Sequence, residues 1–297
     1  MRAFFGGLAL CCLASCGSVD VAPEVAAFSG GLNKATSAMQ SDLAGRAAEE
    51  EAAARSRAVA GGELLYVPPS GCTLAASGAG PAQECRLDPL VRAEVAPGSA
   101  TAMVAYLDLL QAYAEALSLL ATGTEPDAVG KAFGGLVDAA EGLAEAVPDL
   151  APKVKVIAKA NPPLTRLGTR LVEAQRLRLI RRVVMDASPG VTAALDRLIA
   201  YREVDDGLVS GAAALGVAYD RMEAARRAGV GYAVAVAGYE TTHAEIERRL
   251  AASDAGRLML IREAQGKLEA RLSKPGSLKD YIGLIENLGA LATALES

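Results

Sequence analysis

From Val25 onward the apolar positions of this chain recur in alternating steps of three and four, the spacing that gathers side chains on one face of an α-helix. Val25, Phe28, Leu32, Ala35, Met39 and Leu43 form the first such seam. A polar stretch containing Glu49, Glu50, Glu51, Arg55 and Arg57 follows it, and Gly61-Gly62 closes the helix. Ser99 caps a second helix with Met103, Leu107, Leu110, Ala114 and Leu117 on its seam, widened by Tyr106, Tyr113 and Leu120. Thr124-Glu125-Pro126-Asp127 resembles a capping box and opens a third, through Val129, Phe133, Leu136, Ala140, Leu143 and Val147, which Pro148 stops. A short piece carries Leu150, Val154 and Ile157. Another helix carries Leu164, Leu167, Leu171, Ala174, Leu177, Ile180 and Val184.

The longest pattern lies in residues 188–273. Ser188-Pro189 supplies cap and first-turn chemistry for an arm whose seam is Val191, Leu195, Leu198, Tyr201, Asp205, Leu208, Ala212, Leu215, Tyr219 and Met222. Gly229-Val230-Gly231 predicts a reversal. The return arm carries Tyr232, Val236, Tyr239, His243, Ile246 and Leu250, then Leu258, Ile261, Gln265, Leu268 and Leu272. The phase slip between Leu250 and Leu258 predicts a kink near Ser253-Asp254. Each arm is about 40 residues, or roughly 60 Å at 1.5 Å per residue. After Lys274-Pro275-Gly276-Ser277 a last helix presents Tyr281, Leu284, Leu288, Leu291 and Leu295. The fold class is therefore all-α: an elongated helical bundle over residues 24–297 with a long antiparallel coiled-coil-like hairpin at 188–273. Residues 61–97 interrupt it as a Gly-, Pro- and Ser-rich insertion holding Cys72 and Cys85. Within it, residues 63–67 and 85–87 could pair as short strands.

Composition narrows the chemistry. The chain has 297 residues and is 52% hydrophobic, enough for a sizeable core, yet only 4% aromatic and without Trp. Its net charge of −5 argues against a nucleic-acid partner. A single His excludes multi-His metal sites, and no cofactor or metal is expected. Walker, dinucleotide-binding and nucleophile-elbow patterns do not occur.

The N-terminus has its own pattern. Met1-Arg2 is followed by a short apolar run to Cys12, then Leu13-Ala14-Ser15-Cys16 and Gly17. A basic start, a short apolar middle and small residues at a cleavage point form a secretory signal, too short to span a bilayer as a helix. Leu13-Ala14-Ser15-Cys16 resembles the lipobox of bacterial lipoproteins. The resemblance implies that residues 1–15 are a signal peptide, that cleavage falls before Cys16, and that Cys16 carries lipid, palmitate included. It implies attachment to membrane lipid through Cys16, with residues 16–23 as the tether. Gly17, where an Asp would retain the protein at the inner membrane, implies the outer membrane on its periplasmic face. Among the later segments none is expected to span a membrane: the most apolar stretches, Gly207 to Tyr219 and Ala228 to Tyr239, are short and separated by Asp220, Arg221, Glu223, Arg226 and Arg227, and Asp108 and Glu115 keep the second helix from being a span.

Export makes Cys72 and Cys85 an even pair in an oxidising compartment, which predicts a structural disulfide. A metal site there lacks further ligands, and a redox pair usually has Cys-x-x-Cys spacing. Four other features invite a chemical role. His243, with Glu240 and Glu247 within one turn, could be a general base or a packed seam residue. Asp205, beside Asp206, falls on the apolar seam and needs a polar partner there. Arg166, Arg170, Arg176, Arg178, Arg181 and Arg182 make one helix basic, suited to an anionic surface (Arg170, Arg178, Arg181 and Arg182 foremost) or to neutralisation by neighbouring acids. Gly207-x-x-x-Gly211 permits close helix contact. No nucleophile accompanies His243, so the chain reads as non-enzymatic. The expected role is an anchored envelope scaffold, spacer or docking protein, with an envelope protein or a second copy as partner. The alternative is a bundle that holds an apolar small molecule or lipid.

Overall fold

A computed structural model describes residues 21–62, 65–66, 88–89, 96, 98–122, 126–159, 173–273, 288–289 and 293. The described chain is helical apart from one small ladder. Its elements are α1 (Ala22–Ala60), β1 (Leu65–Tyr66), β2 (Asp88–Pro89), α2 (Ala100–Thr122), α3 (Pro126–Ala146), a 3-10 turn (Pro148–Leu150), α4 (Ala151–Lys159), α5 (Glu173–Asp205), α6 (Leu208–Ala228), α7 (Tyr232–Ala252) and α8 (Asp254–Ser273). β1 and β2 pair antiparallel, with Leu65 opposite Pro89 and Tyr66 opposite Asp88. The rest of the insertion, including Cys72 and Cys85, lies outside the described residues. So do residues 1–20 with Cys16, residues 160–172 with Arg166 and Arg170, and most of the C-terminal segment.

α2 occupies the centre, packed by α1, α3 and α5. All eight of its predicted seam residues are buried, as are Leu109, Ala102 and Ala116 on its other sides. By length and composition it is apolar enough to cross a membrane, but much of it is covered here by protein. The predicted seams of α1, α3 and α4 are buried in full. With so few aromatics, Leu and Ala fill most of the interior, and Phe28 meets Tyr113 edge-on at 6.5 Å. Tyr113 donates to Gln265 Oε1 at 3.1 Å inside the core. Burial pushes the Tyr113 hydroxyl up from its ordinary value, so it stays a neutral donor.

Helix ends follow local chemistry. Ser99 Oγ accepts from Ala102 N–H at 3.2 Å, as predicted for a cap. A second acceptor comes from another helix: the Glu50 carboxylate takes the Ala100 N–H at 2.9 Å and the Thr101 N–H at 3.3 Å. A negative group at the positive end of α2 ties the two helices together. Gly61 and Gly62 end α1, Gly62 with a positive φ.

One predicted boundary is wrong. α5 does not begin at Ser188-Pro189 but runs through it, with Pro189 inside the helix. Ile180, Val184, Ala187, Val191, Leu195 and Leu198 are buried along one continuous face. That shared burial outweighs the single backbone hydrogen bond that proline forfeits. Ser188 hydrogen-bonds to Glu269 on α8 rather than capping a new helix.

The 188–273 arms keep one antiparallel register throughout. Ser188 meets Glu269, Asp196 meets Arg262, Gly211 meets Ile246 and Tyr219 meets Tyr239. Neither arm is one helix, however. Gly207, in the left-handed region at φ 70°, separates α5 from α6, and Ser253 separates α7 from α8 near the predicted kink. Below these breaks α5 and α8 belong to the bundle. Above them α6 and α7 contain no buried residue. The seam from Leu208 to Leu250 is only half-covered, by the facing helix of the pair, because no third helix among the described residues lies over it.

The second break depends on Gly256. A Cβ there would fall inside the Leu250 carbonyl, a backbone group that cannot move aside cheaply. Gly256→Ala is therefore expected to destabilise the protein by about 2 kcal/mol, the range seen for overpacking a tight site. Gly266→Ala, at an exposed position inside α8 where a Cβ meets nothing, should instead raise stability by about 0.5–1 kcal/mol. Paired thermal melts check both.

Candidate functional site

Two features stand apart from ordinary core packing: a cluster of charges where the arms leave the bundle, and the arm that lies beyond it.

The cluster is centred on Arg202. This residue follows Leu195, Leu198 and Ile199 on the buried face of α5 and is only 4% exposed. A charge so placed must find partners. Its guanidinium reaches Asp42 of α1 at 3.0 Å, Asp205 one turn on at 3.3 Å and Asp254 at the start of α8 at 3.6 Å. Arg46 completes the ring, at 2.8 Å from Asp205 and 3.2 Å from Asp42. Asp206 accepts the Ala255 N–H at 3.1 Å, and Ser253 Oγ accepts the Gly256 N–H at 3.0 Å, so the first turn of α8 is capped twice. These contacts clasp α1, α5 and α8 together at the root of the arm.

Asp205, singled out in the sequence as an acid in need of a partner, thus has two. Its side chain is one-quarter exposed, at the edge of the bundle rather than deep in a seam. Arg202 is what the sequence reading passed over. The signal was present: its spacing continues the three-and-four steps of Leu195 and Leu198 into a charged residue. Asp42, Arg46 and Asp254 come from other helices, and nothing in their local pattern joins them.

The arm is a pair of 21-residue helices, each about 31 Å long. They meet along Gly211, Leu215, Ala218 and Met222 on α6, and Val236, Tyr239, Ile246 and Leu250 on α7, all half-buried. Gly211 does make a close contact, since a Cβ on it would come within 3.3 Å of Ile246. Gly207 does not join in; it makes the break. At the far end Gly229 and Gly231 both have positive φ and turn the chain tightly around Val230. The direction of the arm follows from α1: residue 28 lies beside Tyr113 and residue 42 beside Arg202, so α1 runs toward the clasp. The start of α1 and the root of the arm thus lie about 30 Å apart at 1.5 Å per residue, and the second half of α1 continues past the clasp to the start of α2.

His243 sits on this arm. Its side chain is 46% exposed, its Nδ1 lies 3.6 Å from Glu247 Oε2, and its ring stacks on Tyr239 at 6.1 Å. Tyr239 in turn meets Tyr219 edge-on at 6.2 Å. The imidazole therefore ends a row of rings on an open surface. Among the described residues no group of three or more His, Cys, Asp and Glu could hold a metal. On α5, Arg178, Arg181 and Arg182 are exposed, with Arg182 3.5 Å from Asp186. Arg176 bonds the Ala121 carbonyl at 3.3 Å, tying α5 to the end of α2.

An open cleft of about 320 Å³ lies between α1 and α2, lined by Ser29, Asn33, Gln111, Glu115, Ser118 and Leu119 among others. Its lining mixes polar and apolar surface in about equal parts. No protein-family model, characterised protein or solved structure matches the chain.

Burial pushes the Asp42 carboxyl up, but the hydrogen bonds and charges of Arg46 and Arg202 outweigh it and hold the group below its ordinary value. A carboxyl lowered on folding stabilises the fold above its unfolded value, about 3.9, and loses that contribution as pH falls through the lower folded value. Arg202→Met should cost about 2 kcal/mol at pH 7, since the three acids left behind are partly solvated. The gap between wild type and variant should narrow below about pH 4. Urea denaturation from pH 7 to pH 3 measures both effects, and a gap that widens on acidification would exclude this account.

Proposed function

We propose that this chain is a lipid-anchored, non-enzymatic scaffold of the bacterial cell envelope, held by acyl chains on Cys16, with the 188–273 arms acting as a coiled-coil-like hairpin that reaches outward to dock another component. The observation that carries this reading is the arm itself: two helices without a buried residue, clasped at their root and free of the bundle beyond it. A chain that only had to fold would gain nothing from apolar surface left uncovered. Among the described residues, seven of the nine large apolar side chains that are exposed fall between Val204 and Val234. Exposed apolar surface concentrated on one element marks an interaction site.

The lipobox-like Leu13-Ala14-Ser15-Cys16 supplies the address, and two or more acyl chains would make the attachment stable. Gly17 favours the outer membrane. Cys72 and Cys85 would close the insertion as a disulfide in that compartment. The placement of His243 on an open helix pair supports a role without catalysis.

Intact-mass measurement of the processed protein tests the anchor. The expected result is a chain beginning at Cys16 with a diacylglyceryl adduct, which Cys16→Ser abolishes along with membrane fractionation. In-cell crosslinking from the arm tests the docking role: a specific adduct should form in wild type and disappear when residues 208–252 are replaced by a short turn. An unmodified N-terminus rejects the anchor, and an arm that crosslinks to nothing rejects docking.

A further inference from the structure

The end of the arm has a composition unlike the rest of the chain. Residues 224–239 read Ala-Ala-Arg-Arg-Ala-Gly-Val-Gly-Tyr-Ala-Val-Ala-Val-Ala-Gly-Tyr: sixteen positions with two arginines and no acid. The nearest acids, Glu223 and Glu240, lie on the root side of this segment. In the folded arm these residues form about its outer third; most are open, while Ala225, Ala235, Val236 and Tyr239 are half-buried between the helices. Val230 is 76% exposed and Val234 78% exposed. Tyr232 is 44% exposed at the start of α7. Arg226 and Arg227 are the last charged residues before the turn, behind the valines. The Glu223 carboxylate accepts three hydrogen bonds from Arg226, the shortest 2.8 Å, and its backbone carbonyl accepts from Arg227 Nε at 3.3 Å. These contacts hold both guanidiniums as a collar one turn back from the apolar end.

An apolar cap, a tyrosine beside it and a collar of two arginines, of which Arg226 is shared with the Glu223 carboxylate, match the layering of a bilayer surface. Acyl chains accept the valines, the interface accepts tyrosine, and lipid phosphates accept arginine. A protein partner would require shape and paired polar groups, whereas residues 228–239 around the turn offer only Ala, Val, Gly and Tyr. We infer that the tip of the α6–α7 arm inserts shallowly into an anionic lipid surface through Val230, Tyr232 and Val234, with Arg226 and Arg227 on headgroup phosphates. This deepens the scaffold reading by naming what the arm docks against, and rests on that reading in this respect. Attraction of basic residues to anionic lipid is worth about 1 kcal/mol each near the surface and fades with salt.

The absence of Trp from the chain makes the test direct. Val230→Trp places a sole fluorophore at the tip, and Val156→Trp, at an exposed position of α4, serves as the control. Each full-length variant is reconstituted on vesicles of phosphatidylcholine with one-quarter phosphatidylglycerol, with or without brominated acyl chains. Brominated lipid should quench the Val230→Trp signal and shift it to the blue, and leave the Val156→Trp signal unchanged. Arg226→Glu with Arg227→Glu should cut that quenching roughly tenfold, as should pure phosphatidylcholine. Three results overturn the proposal: quenching of tip and control alike, no quenching at the tip while aqueous iodide reaches it, or a blue shift without vesicles, which would mean that a second copy covers the tip. The anchor is scored separately by intact mass, so a protein that stays on vesicles with its tip in water refutes the tip and spares the anchor.

Discussion

Burial of α2 is the constraint on which the rest of the molecule depends. Its apolar surface extends around all but a narrow exposed stripe through Thr101, Asp108, Glu115 and Thr122, so it is stable in water only when wrapped. α1, α3 and α5 each present a single three-and-four seam to it. Because the chain is poor in aromatics, closeness of approach replaces bulk: alanines at helix contacts let leucines from three neighbours reach the same space. Two polar devices refine this. Glu50 fixes where α2 begins against α1, and the Tyr113–Gln265 bond fixes the level at which α8 meets α2.

The contrast between core and arm gives the molecule two mechanical parts. In the core, every helix shares its buried face with others. In the arm, each helix has only its twin, and the interface is built on Gly211, Ala218 and half-covered leucines. The clasp around Arg202 stands between them, anchoring the root without extending order along the arm. A flexible joint would leave the tip's position undefined. Salt links to α1 and capped starts of α8 hold its root at a fixed place on the bundle.

Much of this was legible in the sequence because helical periodicity survives in single-residue detail. Every predicted seam residue of α1, α2, α3 and α8 is buried, and Ser99 and Gly61-Gly62 mark helix ends as their chemistry requires. The failures have physical causes. Ser188-Pro189 has local cap chemistry, but the seam through Ile180 to Leu198 has more apolar surface to bury, and the longer-range term won. The periodicity of Tyr201 to Leu250 was real, yet periodicity reports that a face is apolar and not that anything lies over it. The clasp was hidden because Asp42, Arg202 and Asp254 become neighbours only through the packing of three helices. Gly256 could not be told apart from any other helical glycine until the Leu250 carbonyl was seen beside it.

That no side chain of α6 or α7 is buried has a consequence for the history of such a protein. A substitution in α2 must be accommodated by several helices at once, whereas one on the outer half of the arm disturbs little beyond its own surface. Selection can therefore rewrite the tip residue by residue, altering what the molecule touches, while the body that presents it drifts slowly or not at all. Target choice and structural integrity are carried by separate stretches of one polypeptide.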